Sequence, residues 1–118
     1  MTNQTSDKGL AGERQALAYL QQLGMRPVCQ RYRCPYGEID LVMLDGECLV
    51  FVEVKLRARG RKNDGVSAVT MSKQRRLIRA ARSYLGQYPT ELPVRFDIVE
   101  ITGEGVFHLP NAFEGSEW

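Results

Sequence analysis

Residues 49–54, Leu49-Val50-Phe51-Val52-Glu53-Val54, are apolar at every position but one. A run this short, apolar and β-branched reads as a strand covered on both faces, and so as the middle of a sheet. Before it stands Asp45-Gly46, a strong hairpin signal, and before that the strand-like stretch Glu38 to Leu44. A chain with a central strand of this kind must lay apolar surface against both faces of its sheet.

Two helical patterns are available for that task. The first runs from about Leu10 to Leu23 and stops at Gly24, with Ala16, Leu17, Leu20 and Leu23 as its stripe. The second runs from about Thr70 to Tyr88 and ends before Pro89. Its stripe is Leu77, Ile78, Ala81, Tyr84, Leu85 and Tyr88, with Arg75, Arg76, Arg79 and Arg82 on the other side. Further extended segments are expected at Arg26 to Arg33, Val94 to Ile101 and, after Gly103-Glu104-Gly105, Val106 to Leu109. The 118 residues therefore predict one α/β domain with a mixed sheet of about five strands, in the order αβββαββ. The domain spans residues 9–109, with a polar, glycine-containing mobile loop at about 58–69. Residues 1–8 and 110–118 read as tails.

Register fixes what the central hairpin can do. With Asp45 and Gly46 as a two-residue turn, Leu41 opposes Val50 and Asp40 opposes Phe51. Side chains alternate faces along a strand, so Asp40, Phe51, Glu53 and Lys55 share one side. Asp40 and Glu53 are then diagonal neighbours, roughly 6–8 Å apart at Cβ, close enough to converge on one ion. Acids on such a strand pair are expensive to bury alone, and a divalent cation resolves the conflict. Oxygen donors suit magnesium or manganese rather than zinc or copper. Lys55 would position the attacking water or stabilise charge on a phosphate, while a structural Glu53–Lys55 ion pair is the plainer reading. Glu38 shares the face, as an extra ligand or as the strand's wet end. Glu13 falls on the buried stripe of the first helix, where a carboxylate needs a partner.

Charge is unevenly spread. Between Lys55 and Arg82 stand ten bases (Lys55, Arg57, Arg59, Arg61, Lys62, Lys73, Arg75, Arg76, Arg79 and Arg82) against Asp64 alone. The remainder holds six bases and thirteen acids, so a net charge of +2 hides a basic surface suited to a polyanion. Three cysteines, Cys29, Cys34 and Cys48, with His108 as the one histidine, fit reduced thiols rather than a disulfide framework or structural zinc. No apolar run approaches the ~18 residues of a membrane span, and a soluble, cytoplasmic protein is expected. No glycine pattern matches a phosphate-binding loop, and Ser67, Ser72 and Ser83 lack a convincing histidine partner. Asp97 follows Arg95 at strand spacing, which favours a structural pair.

Gly37-Glu38-Ile39-Asp40-Leu41-Val42 followed by Phe51-Val52-Glu53-Val54-Lys55 resembles the YraN-like family of small bacterial proteins. That family is similar in fold and motif to archaeal-type Holliday-junction resolvases of the PD-(D/E)xK nuclease superfamily, and the likeness runs from Gly9 through Arg95-Phe96-Asp97. It implies a restriction-endonuclease-like fold and a metal-dependent endonuclease acting on nucleic acid, DNA and branched DNA foremost. It further implies that Asp40 and Glu53 bind Mg2+ or Mn2+, that Val54 lends its backbone carbonyl, and that Lys55 is the catalytic lysine. Glu13 matches the helix-one acid of the resolvase-like branch, which holds a metal-bound water or a second ion. Lys73 falls where the family also places a lysine, and a supporting role in binding phosphate rather than in catalysis is expected of it. Ile39 stands where the superfamily motif has its proline. Resolvase-like folds often pair to act on two strands, which suggests a homodimer. The nucleic acid would be held by Arg57, Arg59, Arg61, Lys62, Lys73, Arg75, Arg76, Arg79 and Arg82. The other readings are a nucleic-acid-binding protein that keeps the fold without cleaving, and an interaction module whose acids form structural ion pairs.

Overall fold

The computed structural model describes residues 7–57 and 71–114. Helix α1 (Asp7–Gln22) is followed by β1 (Arg26–Cys34), β2 (Gly37–Asp45) and β3 (Cys48–Leu56). Then come α2 (Met71–Gln87), β4 (Val94–Thr102) and β5 (Gly105–Phe113). The strands form one mixed sheet in chain order. Adjacent pairs are antiparallel except β3 and β4, which run parallel and are joined through α2. The expected α/β architecture and element order are thus present. The mobile loop expected at 58–69 lies outside the described residues, as do Arg59, Arg61 and Lys62.

Each helix covers one face. Ala16 and Leu20 of α1 pack on Leu41, Met43, Val50, Val52, Val99 and Ile101. Ile78, Ala80, Ala81 and Tyr84 of α2 pack on Ile39, Val42, Leu49, Phe51 and Phe96. Strand β3 is buried over Leu49–Glu53, as its apolar run requires. No helix among the described residues is long and apolar enough to cross a membrane. All three cysteines are free thiols.

Three local expectations are corrected. The hairpin turn is Gly46-Glu47, with Asp45 paired to Cys48. Gly46 has φ 62 and no such value occurs at Glu47, the pattern of a turn with glycine at its first central position. Asp45 is held in the strand by Arg95, 2.9 Å away. The pairing moves one residue along each strand, a shift that does not itself exchange faces, and Asp40 now falls level with Glu53 rather than Phe51. Strand β5 continues past Leu109 to Phe113, which puts residues 110–113 in the sheet rather than in a tail. Its end is captured by β4: the Asn111 amide donates to Asp97 Oδ1 at 2.9 Å, and Phe113 stacks on Phe96. Finally, Tyr88 stands past the end of α2 and is 57% exposed, with its ring leaning on Tyr84 rather than buried in the core.

Candidate active site

Side-chain alternation along β2 breaks at Asp40. Ile39 and Val42 both pack toward α2, whereas Leu41 and Met43 pack toward α1. At the same level of β1, between the pairs Gln30–Leu41 and Tyr32–Ile39, Arg31 has φ 58. Holding a non-glycine residue there costs about 1 kcal/mol or more, and such strain gathers at functional positions.

At this break the β2–β3 ladder gives way to a side chain. The β2–β3 pairing ends at Leu41 and Val52, and the Val54 amide instead donates to Asp40 Oδ2 at 2.8 Å. An extended residue presents its N–H and C=O at the same strand edge, so the Val54 carbonyl also faces the β2 side. Burial and the neighbouring Glu53 charge push the Asp40 carboxyl up to about 8, with Glu13 and Glu38 adding to the effect. The Val54 hydrogen bond works against it. Asp40 is therefore a carboxyl crowded by other carboxyls, the condition under which a cation binds or a proton stays.

Glu53 is buried, and Lys73 of α2 meets it at 2.9 Å. The ion pair foreseen between Glu53 and Lys55 is thus made by Lys73. Lys55 lies beside Lys73; burial, then the Lys73 and Arg57 charges, lower its pKa, and Glu53 opposes them. A lysine so placed gives up a proton more readily than an exposed one.

Asp40, Glu53 and Lys73 border a hollow of about 200 Å3 between the sheet and α2, with Gly37, Glu38, Arg76 and Leu77 completing its wall. Glu13 reaches this region through Arg31, whose Nε lies 3.2 Å from Glu13 and 3.7 Å from Glu38. Burial, then Glu38, raises the Glu13 carboxyl, and Arg31 counters. Arg31 is thus the partner that the inward acid of α1 requires. Nothing in the Arg26 to Arg33 segment signals it, because its role depends on a backbone conformation that arginine rarely adopts.

The basic residues divide. Arg76 borders the central hollow, and Arg75, Arg79 and Arg82 line the outer face of α2. Arg57 pairs with the buried Glu100 at 3.3 Å, which makes it part of the β3–β4 framework. His108, Arg95 and Asp97 form a separate network, with Asp97 fully enclosed.

The donor set fits a hard divalent cation. Among the described residues no three acids, thiols or imidazoles gather tightly enough to enclose a metal unaided. Magnesium needs no such cage, since it is commonly held by one or two carboxylates with water and substrate oxygens filling the rest.

An α/β domain with paired acids, a lysine and an arginine in a cleft under a basic helix is the class that fold and site define. By sequence, the chain belongs to Uncharacterised protein family UPF0102, the YraN-like proteins, whose profile matches residues 12–101. A UPF0102 protein of Nitrosospira multiformis is 47% identical over 110 residues, covering 91% of this chain and 92% of its own length. One from Janthinobacterium sp. (strain Marseille) is 44% identical over 106 residues, covering 90% and 86%. One from Legionella pneumophila (strain Philadelphia 1) is 39% identical over 114 residues, covering 93% and 97%.

Proposed function

We propose that the protein is a metal-dependent endonuclease that hydrolyses phosphodiester bonds in nucleic acid, DNA and branched DNA foremost. The single observation behind this reading is the burial of Asp40 against Glu53 in an open hollow walled by Lys73 and Arg76. A fold gains nothing from pressing two carboxyls together unless a cation or proton joins them. The similarity of the Gly37–Val42 and Phe51–Lys55 segments to resolvase-like PD-(D/E)xK nucleases supports the same reading and is the reason for favouring DNA.

In this reading Asp40 and Glu53 hold Mg2+ or Mn2+, and the Val54 carbonyl faces the same gap. The ion would supply Lewis acidity toward a phosphoryl oxygen and a bound water of lowered pKa. Lys55, with its lowered pKa, orients the attacking water and moves its proton. Lys73 and Arg76 receive the phosphate, and Lys73 exchanges its contact with Glu53 for one with substrate. Glu13, steadied by Arg31, holds water at the margin of the site. Arg75, Arg79 and Arg82 grip flanking phosphates, which gives affinity without sequence choice. The setting is the cytoplasm, and a homodimer would suit a two-stranded substrate.

The test is a panel of labelled DNA and RNA substrates, branched ones included, incubated with Mg2+, Mn2+ or chelator. Wild type is expected to cut in either metal and not in chelator. Asp40→Ala and Lys55→Ala should each cut on the order of 100- to 1000-fold more slowly. Tight binding with no cutting in any metal would favour a non-catalytic binding protein. Folded protein that neither binds nor cuts would reject the nucleic-acid reading.

A further inference from the structure

We propose that the turn between β1 and β2 and the outer face of α2 form a subsite for an unpaired nucleotide. The Tyr36 ring is its stacking platform, and Arg79 and Arg82 are its phosphate contacts. The subsite rests on the nucleic-acid reading of the central hollow and specifies the form of its substrate.

Tyr36 is an aromatic ring left 51% exposed at the tip of a tight turn. It borders, with Arg79, Arg82 and Ser83, a second hollow of about 480 Å3, larger than the central one. The turn is seated on α2 rather than standing free: a Cβ at Gly37 would lie 3.5 Å from Arg76 Cδ. Beneath it, the Tyr32 and Ser83 hydroxyls meet at 2.9 Å and Tyr32 donates to Gln87 at 2.8 Å, which ties β1 to the same stretch of helix. The ring is therefore carried on a braced surface.

The two hollows are neighbours along both elements that build them. Gly37 and Arg76 wall the central hollow, while Tyr36 and Arg79 wall the second. A rise of 1.5 Å per residue puts Arg79 about 5 Å and Arg82 about 9 Å along α2 from Arg76. A strand with one phosphate at Asp40 and Glu53 can thus continue along α2, with its next phosphates at Arg79 and Arg82 and a base against Tyr36.

The platform selects for an open base. Within a duplex the faces of each base are covered by its neighbours, whereas an unpaired nucleotide offers a free π-face. Stacking on an aromatic side chain is tolerant of base identity. Cationic arginines beside the ring match a polyanionic strand, and guanidinium planes can themselves stack on bases. The basic surface then supplies general affinity, and Tyr36 adds discrimination for overhangs, gaps and splayed junction arms.

The probe is a short duplex, either blunt or carrying an unpaired segment of DNA or RNA labelled with 2-aminopurine, with binding read by anisotropy in chelator so that nothing is cut. Wild type should bind the unpaired forms about 5- to 100-fold more tightly than the blunt duplex and alter the 2-aminopurine fluorescence. Tyr36→Ala should erase that preference with an unchanged melting temperature, and Tyr36→Phe should retain it. Arg79→Ala should weaken blunt and unpaired forms alike and reduce the salt slope by about one. Equal affinity of wild type for all forms would overturn the proposal, as would a preference that survives in Tyr36→Ala. So would binding of a poly-glutamate peptide at this face without any nucleic-acid binding. A Tyr36-dependent preference without cutting in any metal would remove the nuclease and leave the subsite standing. Metal-dependent cutting with an indifferent Tyr36→Ala would do the reverse.

Discussion

Asp40→Asn is expected to make the metal-free protein more stable at pH 8 and above while abolishing its response to divalent cations. The Asp40 carboxyl is pushed up to about 8 by burial and by Glu53, against an ordinary value near 3.8. Between those limits the folded chain holds a proton that the unfolded chain releases. Stability from this group is therefore complete below about pH 4 and is lost as the pH rises through 8. A shift of this size corresponds to between about 5 and 6 kcal/mol if undiminished. Asp40 is only partly buried, and screening reduces the expected gain to about 2–3 kcal/mol. Asparagine keeps an oxygen to accept the Val54 amide and brings no charge against Glu53. Thermal melts of both proteins in chelator at pH 5 and pH 8.5 should thus converge at the lower pH and separate at the higher one. Adding Mg2+ or Mn2+ should raise the melting temperature of wild type and leave the variant unmoved. A site whose removal strengthens the fold is one kept for function rather than for stability.

The opposite outcome is expected on the far side of the sheet. Asp97→Ala should lower stability at pH 7 by about 3–5 kcal/mol, since it strips out the buried carboxylate on which Arg95, His108 and the Asn111 amide converge and leaves Arg95 with Asp45. Arg95 Nε donates to Asp97 Oδ1 at 2.9 Å and its second nitrogen to Oδ2 at 3.1 Å. His108 Nε2 lies 2.8 Å from Oδ2, and the Asn111 amide donates to Oδ1. Burial pushes the Asp97 carboxyl up, but the contacts from His108, Arg95 and Asn111 outweigh it and hold it below its usual value. A lowered value means the contribution is present above about pH 4 and fades as the pH falls through the folded-state value. Alanine should reduce the melting temperature by roughly 10–25 °C in circular dichroism at pH 7. The gap between variant and wild type should narrow in strong acid. A loss below 1 kcal/mol at neutral pH would mean that Arg95 and His108 are satisfied by other groups.

The layers of this fold are legible in its sequence because they rest on local patterns. The run Leu49–Val54 marks the central strand, the stripe from Leu77 to Tyr84 marks the face of α2, and the acid of α1 falls inward at Glu13. Period-two alternation places Asp40 and Glu53 on one side, and they do border one hollow, although the alternation along β2 breaks at Asp40 and Lys55 lies beside Lys73. What escaped depends on distant partners. Asp-Gly is the better local turn, yet Arg95, fifty residues on from Asp45, holds that aspartate in the strand. Pro110-Asn111 reads as chain leaving a domain, yet Asp97 captures the Asn111 amide and carries β5 to Phe113. Arg57 belongs by charge to the basic surface, yet the buried Glu100 claims it. Lys73 was foreseen near phosphate, but its contact with Glu53 follows from how α2 lies across the sheet, which no local spacing encodes.

The central claim is that Asp40 and Glu53 form a divalent-cation site, and a Mn2+ titration followed by electron paramagnetic resonance tests it without any substrate. Wild type at pH 8 should take up Mn2+ saturably, Mg2+ should compete for the same site, and Asp40→Asn should bind at least 10-fold more weakly. Arg79→Ala, remote from the acids, should bind like wild type. Absence of saturable uptake by folded wild-type protein, or equal uptake by Asp40→Asn, would contradict the claim and leave the crowded acids as part of the framework.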